Sequence, residues 1–385
     1  MSFSRPGSAL PPLTEVLESM RVVSIPTRTR FRGISVREAV ILDAPLGASE
    51  FSPFPEYGDA EAAAWLAAAL DFGWAEQPAP VRDRIDVNAT VPAVPAGEVP
   101  GILARFPGCR TAKVKVAERG QSLADDVARV RAVREAMGAD ALVRVDANGG
   151  WSVEEAEAAL RALAEFDLDY AEQPCASVTE LVEVRRRLTP DQRVHGSSGL
   201  DETVPATHGL QVRCPAPLVR IAADESVRKA ADPLAVARSG AADLLIVKAQ
   251  PLGGIRQALD IVEQAGLPVV VSSALDTSVG ISMGLHLAAA LPAAGNGGGS
   301  GSAGGAGSAA GSGAAGVLHG ACGLGTVALL EGDVTADPLI PREGSIEVRR
   351  PALDAALLDR HAAPPERERW WRERVARCHA LLAAL

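Results

Sequence analysis

The alternation of apolar and polar positions changes rhythm near residue 84. Before that point, Arg21–Pro26 and Val36–Asp43 read as strands, joined by the polar link 27-TRTRFRGIS-35. The stretch 59-DAEAAAWLAAALD-71 then reads as a helix with Asp59 at its N-cap. Strands followed by a helix predict a small α+β domain over residues 20–83, behind a disordered tail over 1–19. From Arg84 onward, short apolar strands alternate with helical segments. The strands are 85-IDVNATV-91, 112-AKVKV-116, 142-LVRVD-146, 169-DYAEQ-173, 219-VRIAADE-225, 243-DLLIVK-248 and 268-PVVVSS-273. The helices include 122-SLADDVARVRAVREAMG-138, 152-SVEEAEAALRALAEF-166 and 253-GGIRQALDIVEQAG-266. Such repetition predicts a parallel sheet. With a short eighth strand near 321-ACGLGT-326, the sheet closes into a TIM-type (β/α) barrel over residues 84–330. The alternative is an open doubly wound sheet, but no GxGxxG follows the first strand.

Two segments break the rhythm. Residues 190–218 are rich in turn formers and read as an insertion. Residues 294–316 are a Gly/Ser/Ala tract that cannot bury enough apolar surface to offset its ordering entropy, and a disordered passive loop is expected there. The C-terminal segment 331–385 is expected to complete the cap and pack on the barrel. Its last part, 364-PPERERWWRERVARCHALLAAL-385, reads as an amphipathic helix with Trp370 and Trp371 packed on the body rather than on a second subunit.

Composition narrows the classes. The 385 residues are 47% hydrophobic and 22% charged, as in an ordinary globular protein. A net charge of −10 argues against nucleic acid as the main partner. No run is long and apolar enough to span a membrane, and no signal peptide opens the chain. The five cysteines, Cys109, Cys175, Cys214, Cys322 and Cys378, are scattered without metal spacing, so they read as reduced thiols of a cytoplasmic protein. His195, His208 and His286 also lack metal spacing and are left structural. A monomer is slightly preferred.

The candidate chemistry lies at the strand ends. Lys113 and Lys115 share one face of a strand that turns Val114 and Val116 to the other. Asp146, Glu172, Asp224 and Lys248 end later apolar strands. A lone strand-end aspartate usually caps a helix, and a lone KxK is usually a solvated edge. Six such residues in the order K·K, D, E, D, K argue jointly for a site at the C-terminal face of a barrel. Three carboxylates there suit a hard divalent cation, Mg²⁺ or alternatively Mn²⁺. Lys115 and Lys248 would face each other across it, with neighbouring cations lowering lysine basicity towards neutrality. The combination suits removal of a proton beside a carboxylate, with the metal stabilising the enediolate.

The stretches 113-KVK-115, 146-DANGGW-151, 172-EQP-174, 224-DES-226 and 248-KAQPLGG-254 resemble the muconate-lactonizing-enzyme-like branch of the enolase superfamily. The resemblance covers about Arg21 to Arg350. It implies a modified barrel under an α+β capping domain, with Mg²⁺ on Asp146, Glu172 and Asp224. It further implies Lys115 as base and then acid, Lys248 as a cation beside the enediolate, and Lys113 as an electrostatic aid. Additional stretches, 28-RTRFRGISVREAVIL-42, 50-EFSPFPEY-57, 272-SSALDTSVGI-281 and 322-CGLGT-326, resemble an actinobacterial subgroup. Its reaction is syn dehydration of 2-succinyl-6-hydroxy-2,4-cyclohexadiene-1-carboxylate, a step of menaquinone biosynthesis, so a small dicarboxylate is the expected substrate. The link with Arg30, Phe31 and Arg32 resembles a loop that closes over substrate, and its two arginines suit a dianion. Ser272, Ser273, Thr277 and backbone amides at Gly323 and Gly325 are candidate carboxylate contacts; the serines are equally readable as ordinary strand-end residues. Asn148 either shapes the metal shell or caps the next helix. Arg144 is expected inside the barrel, paired with a carboxylate as structure. Fifty-two residues separate Glu172 from Asp224, against 26 from Asp146 to Glu172, the mark of the insertion. A racemase of N-succinylated amino acids on the same scaffold and a non-catalytic binding protein are the alternative readings.

Overall fold

The computed structural model describes residues 10–31, 33–189, 217–228, 232–292 and 317–385. The expected insertion at 190–218 falls almost wholly outside the described residues, as does the Gly/Ser tract.

The chain opens with helix α1 (Leu13–Ser19), so residues 13–19 are not a disordered tail. Val16 is fully buried and anchors α1 in the capping domain's core. Strands β1 (Met20–Phe31), β2 (Ile34–Leu42) and β3 (Ser49–Phe51) form an antiparallel sheet. The segment read as a polar link belongs mostly to β1, which runs on past a register shift after Pro26 to Phe31. Helix α2 (Asp59–Trp74) starts one residue earlier than expected, with Gly58 as N-cap. Asp59 instead lies in the first turn and pairs with Arg377 at 2.6 Å.

The predicted first barrel strand divides in two. Strand β4 (Arg84–Asp86) leaves the barrel to pair antiparallel with a strand near the C-terminus, and β5 (Ala89–Val91) begins the parallel sheet. Asn88 marks the break, its side chain donating to Ala89 O. Then follow α3 (Val99–Leu103), β6 (Thr111–Lys115), α4 (Leu123–Met137), β7 (Leu142–Asp146), α5 (Val153–Leu163), β8 (Leu168–Glu172), α6 (Val178–Leu188), β9 (Ile221–Ala223), α7 (Glu225–Arg228), α8 (Ala235–Ser239), β10 (Leu244–Val247), α9 (Ile255–Ala265), β11 (Val269–Val271) and α10 (Ser278–Ala290). Strands β5 to β11 lie side by side in sequence order as seven parallel strands. Their two edges meet at the segment predicted as an eighth strand: Gly323 bridges Ser272, and Cys322 bridges Val87. The chain ends with β12 (Ser345–Glu347), which pairs with β4, then α11 (Ala355–Arg360) and α12 (Pro365–Ala383).

Helices α4, α5 and α6 start as their sequences dictate. Ser122, Ser152 and Ser177 each form a capping box with an acid three residues on. Helix α12 packs on the capping domain: Trp371 is fully buried, 5.8 Å from the ring of Phe51. Its indole donates to Glu38 at 3.0 Å. The four described cysteines are free thiols. Among the described residues, no helix is long and apolar enough to cross a membrane.

Candidate active site

The two-residue period of the strands decides what enters the barrel. Val114 and Val116 turn outward into the apolar layer beneath the helices, so Lys113 and Lys115 turn inward. Lys115 lies opposite Asp146 on β7, and Asp146 lies opposite Glu172 on β8. Asp224 and Lys248 each follow directly on the last residue of β9 and β10. Parallel pairing thus sets Lys115, Asp146 and Glu172 at one level, with Lys113 two residues below and Asp224 and Lys248 just past their strand ends, all toward the C-terminal face.

The side chains pair locally. Lys113 Nζ lies 2.8 and 2.9 Å from the two Glu172 oxygens and 3.2 Å from Asp146 Oδ2. Lys115 Nζ donates to Asp146 Oδ2 at 2.5 Å and to Asn148 Oδ1 at 2.7 Å. Lys248 donates to Asp224 Oδ2. Asn148 therefore touches the lysine directly, and its own N–H donates to Asp146 Oδ1 at 3.0 Å. Lys113, Lys115, Asp146, Asp224 and Lys248 line one pocket. Phe31 covers it, with its ring centroid 5.4 Å from Lys115 Nζ.

Electrostatics correct one expectation. Neighbouring cations do not lower the basicity of Lys113. Burial presses it down, but the carboxylates of Glu172 and Asp146 outweigh that and hold the ammonium protonated. Burial also opposes ionisation of Asp146, yet Lys115 and Lys113 keep its carboxyl well below the usual range. Glu172 is pushed up to about 7 by burial and by Asp146 beside it, against the pull of Lys113.

Among the described residues, no three side chains of the ligand-forming kinds are gathered to hold an ion as they stand, because each carboxylate is turned onto a lysine. The donor set nonetheless fits a hard divalent cation. It is all oxygen, it comes from three adjacent strands, and every member is at most 1% exposed.

The structure sorts the remaining candidates. Ser272, Ser273 and Gly323 line the pocket. The Ser273 hydroxyl donates to Gly323 O at 2.8 Å. Arg30 does not line the pocket: neighbouring strand residues face opposite ways, and with Phe31 turned in, Arg30 is exposed and donates back to Gly33 O. Arg32 lies outside the described residues. Thr277 is fully buried away from the pocket. Its hydroxyl donates to Glu50 at 2.5 Å and accepts from Val279 N as the N-cap of α10. Gly325 sits behind the pocket wall, where an added Cβ would lie 3.2 Å from the Phe106 ring. Arg144 does lie inside the barrel, 2.8 Å from Asp169.

Sequence reasoning passed over two groups. Thr90, Ala274, Leu275 and Thr326 also line the pocket. Gln173, inside the EQP stretch, is fully buried with φ +40°. Its side-chain oxygen accepts from Asp224 N at 3.0 Å and Ser226 N at 3.2 Å. It thereby ties the strand end carrying Glu172 to the one carrying Asp224.

Comparison with known proteins agrees with this architecture. The enolase C-terminal domain-like family matches residues 103–303, and the enolase N-terminal domain-like family matches residues 22–73. The chain belongs to the enolase superfamily. It is 48% identical to the o-succinylbenzoate synthase of Mycolicibacterium smegmatis (strain ATCC 700084 / mc(2)155), over 97% of this chain and 99% of that protein. It is 48% identical to the o-succinylbenzoate synthase of Mycobacterium tuberculosis (strain ATCC 25618 / H37Rv), over 97% of each chain. Among solved structures, 2-chloromuconate cycloisomerase from Rhodococcus opacus 1CP superposes with a TM-score of 0.64 at 19% identity, over 90% of this chain and 98% of that one. Muconate lactonizing enzyme superposes with a TM-score of 0.62 at 17% identity and the same coverage.

Proposed function

We infer that the protein is an o-succinylbenzoate synthase, a lyase that removes water from 2-succinyl-6-hydroxy-2,4-cyclohexadiene-1-carboxylate to give an aromatic ring. The observation that carries this reading is the pair of lysines, Lys115 and Lys248, lining one pocket from β6 and from the end of β10. Near-complete alignment with two synthases at 48% identity supports the choice of substrate. Asp146, Glu172 and Asp224 would hold a divalent cation, with Mg²⁺ preferred for an all-oxygen set and Mn²⁺ the alternative. Bound there, the ion supplies Lewis-acid stabilisation of negative charge as the acid beside it loses its α-proton.

The chain's own residues do the rest. Lys115, in its neutral form, takes the α-proton on one face of the ring. The same nitrogen then returns that proton to the hydroxyl group leaving from that face, so one C–H and one C–O bond break and water departs. Lys248, cationic, lies against the opposite face and stabilises the enediolate. Lys113 stays protonated and holds Glu172 and Asp146 in place. Phe31 covers the pocket and excludes water. Ser272 and Ser273 contact the succinyl arm. The site is that of a menaquinone-pathway step.

The test is turnover of the cyclohexadiene carboxylate by the purified protein. Lys115→Ala is expected to lose at least 10³-fold in kcat, on the order of a general base's contribution. EDTA is expected to abolish turnover, and Mg²⁺ to restore it. A Lys115→Ala protein as fast as the parent sinks the assignment. Exchange of the α-proton of N-succinyl amino acids, with no dehydration, would turn it to the racemase reading.

A further inference from the structure

A buried charged cluster joins the capping domain to the barrel beside the pocket, and none of its members has a role in the chemistry above. Glu50, in β3, is fully buried and reaches across the domain boundary to the start of α10. Its Oε2 accepts from Thr277 N at 3.1 Å, Thr277 Oγ1 at 2.5 Å and Gly280 N at 3.0 Å. A carboxylate of the capping domain therefore satisfies N–H groups at the first turn of a barrel helix. Arg37, in β2, is 1% exposed. It donates to Leu275 O at 3.1 Å and to Ser52 O, and it lies 3.8 Å from Asp276. Asp276 accepts from Ala274 N at 3.2 Å. Ser52 N donates to Gln250, two residues beyond Lys248.

The loop held in this way is the pocket wall. Ser272, Ser273, Ala274 and Leu275 all line the site. Leu275 has φ +64°, a left-handed conformation that is strained for a residue with a branched side chain. Such a conformation persists only where the surroundings impose it, and the hydrogen bond from Arg37 to its carbonyl is one constraint that does so. The cluster holds two buried carboxylates against one guanidinium. Burial and Asp276 push Glu50 up to about 7, so one of the two acids keeps a proton near neutrality. Glutamine is therefore a close mimic of Glu50, whereas alanine removes its acceptor outright.

We propose that Arg37 and Glu50 are positioning residues: from the capping domain they fix the 272–277 loop and so set how tightly the pocket receives substrate. The proposal rests on the synthase reading above for the substrate used in the test. Glu50→Ala and Arg37→Lys are compared with Glu50→Gln, which keeps the acceptor. Lysine keeps the charge but cannot reach Leu275 O and Ser52 O together. Both disruptive variants are expected to raise KM about tenfold with kcat within about threefold of the parent, because the loop meets substrate without touching the transferred proton. Glu50→Gln should restore KM to within about threefold. Amide hydrogen exchange over 272–280 should accelerate in Glu50→Ala and Arg37→Lys while the β6–β8 amides keep their protection. Unchanged KM and unchanged exchange in a folded Glu50→Ala or Arg37→Lys protein overturn the proposal, as does a fall in kcat at constant KM. If Glu50→Ala does not fold, Arg37→Lys decides. A parent that leaves the cyclohexadiene carboxylate unchanged would sink the synthase reading, while the exchange measurement would still decide the clamp.

Discussion

At the scale of single residues, the site shows why two lysines on one strand are tolerated. Each is set against a carboxylate of a following strand, Lys115 opposite Asp146 one strand away and Lys113 within reach of Glu172 two strands away. The attraction offsets the mutual repulsion and the loss of hydration. The ionic residues were readable in the sequence because an ionic side chain ending an apolar strand is costly unless paired. Gln173 was not, since an uncharged amide in a loop carries no such signal. Its importance comes from the neighbours the fold gives it. Gln173→Ala leaves the N–H groups of Asp224 and Ser226 without their acceptor, and leaves Asp224 free to shift. With the divalent ion held by Asp224 as proposed, the expected result is roughly tenfold weaker metal affinity, the low end of what losing a residue behind a metal ligand costs. It is read from the Mg²⁺ dependence of turnover at saturating substrate. An unaltered Mg²⁺ dependence would reduce Gln173 to a structural spacer.

At the scale of elements, the sequence predicted most of what periodicity controls. Strand β7 starts and ends at the expected residues, Leu142 and Asp146, and α4 and α5 begin behind Ser122 and Ser152, where the predicted segments open. Differences arise where distant chain segments decide. The strand expected over 85–91 splits because Arg84–Asp86 finds a partner more than 250 residues later, in Ser345–Glu347. The β1–β2 link extends as strand past a register shift, with Phe31 paired to Ile34 and Thr27 bridged to the distant Leu330. The turn after α3 shows such a long-range constraint at close quarters. Gly108 has φ +77°, and an added Cβ would lie 2.6 Å from the backbone of Glu343. Gly138, which ends α4 at φ +83°, has nothing within 4 Å of the same position. Alanine at 138 should cost only the backbone conformation, φ +83° with ψ 175°, a region nearly closed to residues with a Cβ, roughly 1–3 kcal/mol. Alanine at 108 adds an overpacking cost of roughly 1–3 kcal/mol, because backbone cannot step aside. Urea unfolding of the two variants measures the difference, and equal losses would show that the 343–344 turn yields freely.

At the scale of the whole molecule, the barrel is plugged below the active site by charge as well as by apolar packing. Tyr170, Leu244, Ile246 and Val270 fill the interior, and Arg144 lies with its guanidinium carbon 4.7 Å from the Tyr170 ring centroid. The register of β7 with β8 slips by one residue between Val143 and Arg144, and the extra residue on β8 is Asp169. That bulge brings Asp169 to Arg144 at 2.8 Å and to Arg220, beneath the sheet rather than at its catalytic rim. The sequence placed Arg144 in the barrel by parity but could not name its partner, because a bulge breaks the parity that names it. Arg144 is fully buried, so removing the charge of Asp169 leaves a guanidinium poorly matched in low dielectric. Asp169→Asn is expected to cost roughly 3–5 kcal/mol at pH 7, the usual penalty for breaking a buried ion pair. Burial opposes ionisation of Asp169, but the His319 ring 3.8 Å away and the charge of Arg144 outweigh it and hold the carboxyl well below its ordinary value. A depressed folded-state pKa gives stability that is present above the unfolded value, about 4, and is lost as pH falls further. The parent's advantage over Asp169→Asn should therefore be constant from pH 5 to 8 and shrink below about pH 4. Parallel denaturation of the two proteins across that range measures it, and a gap that stayed constant down to pH 2 would mean that the plug is held by packing alone.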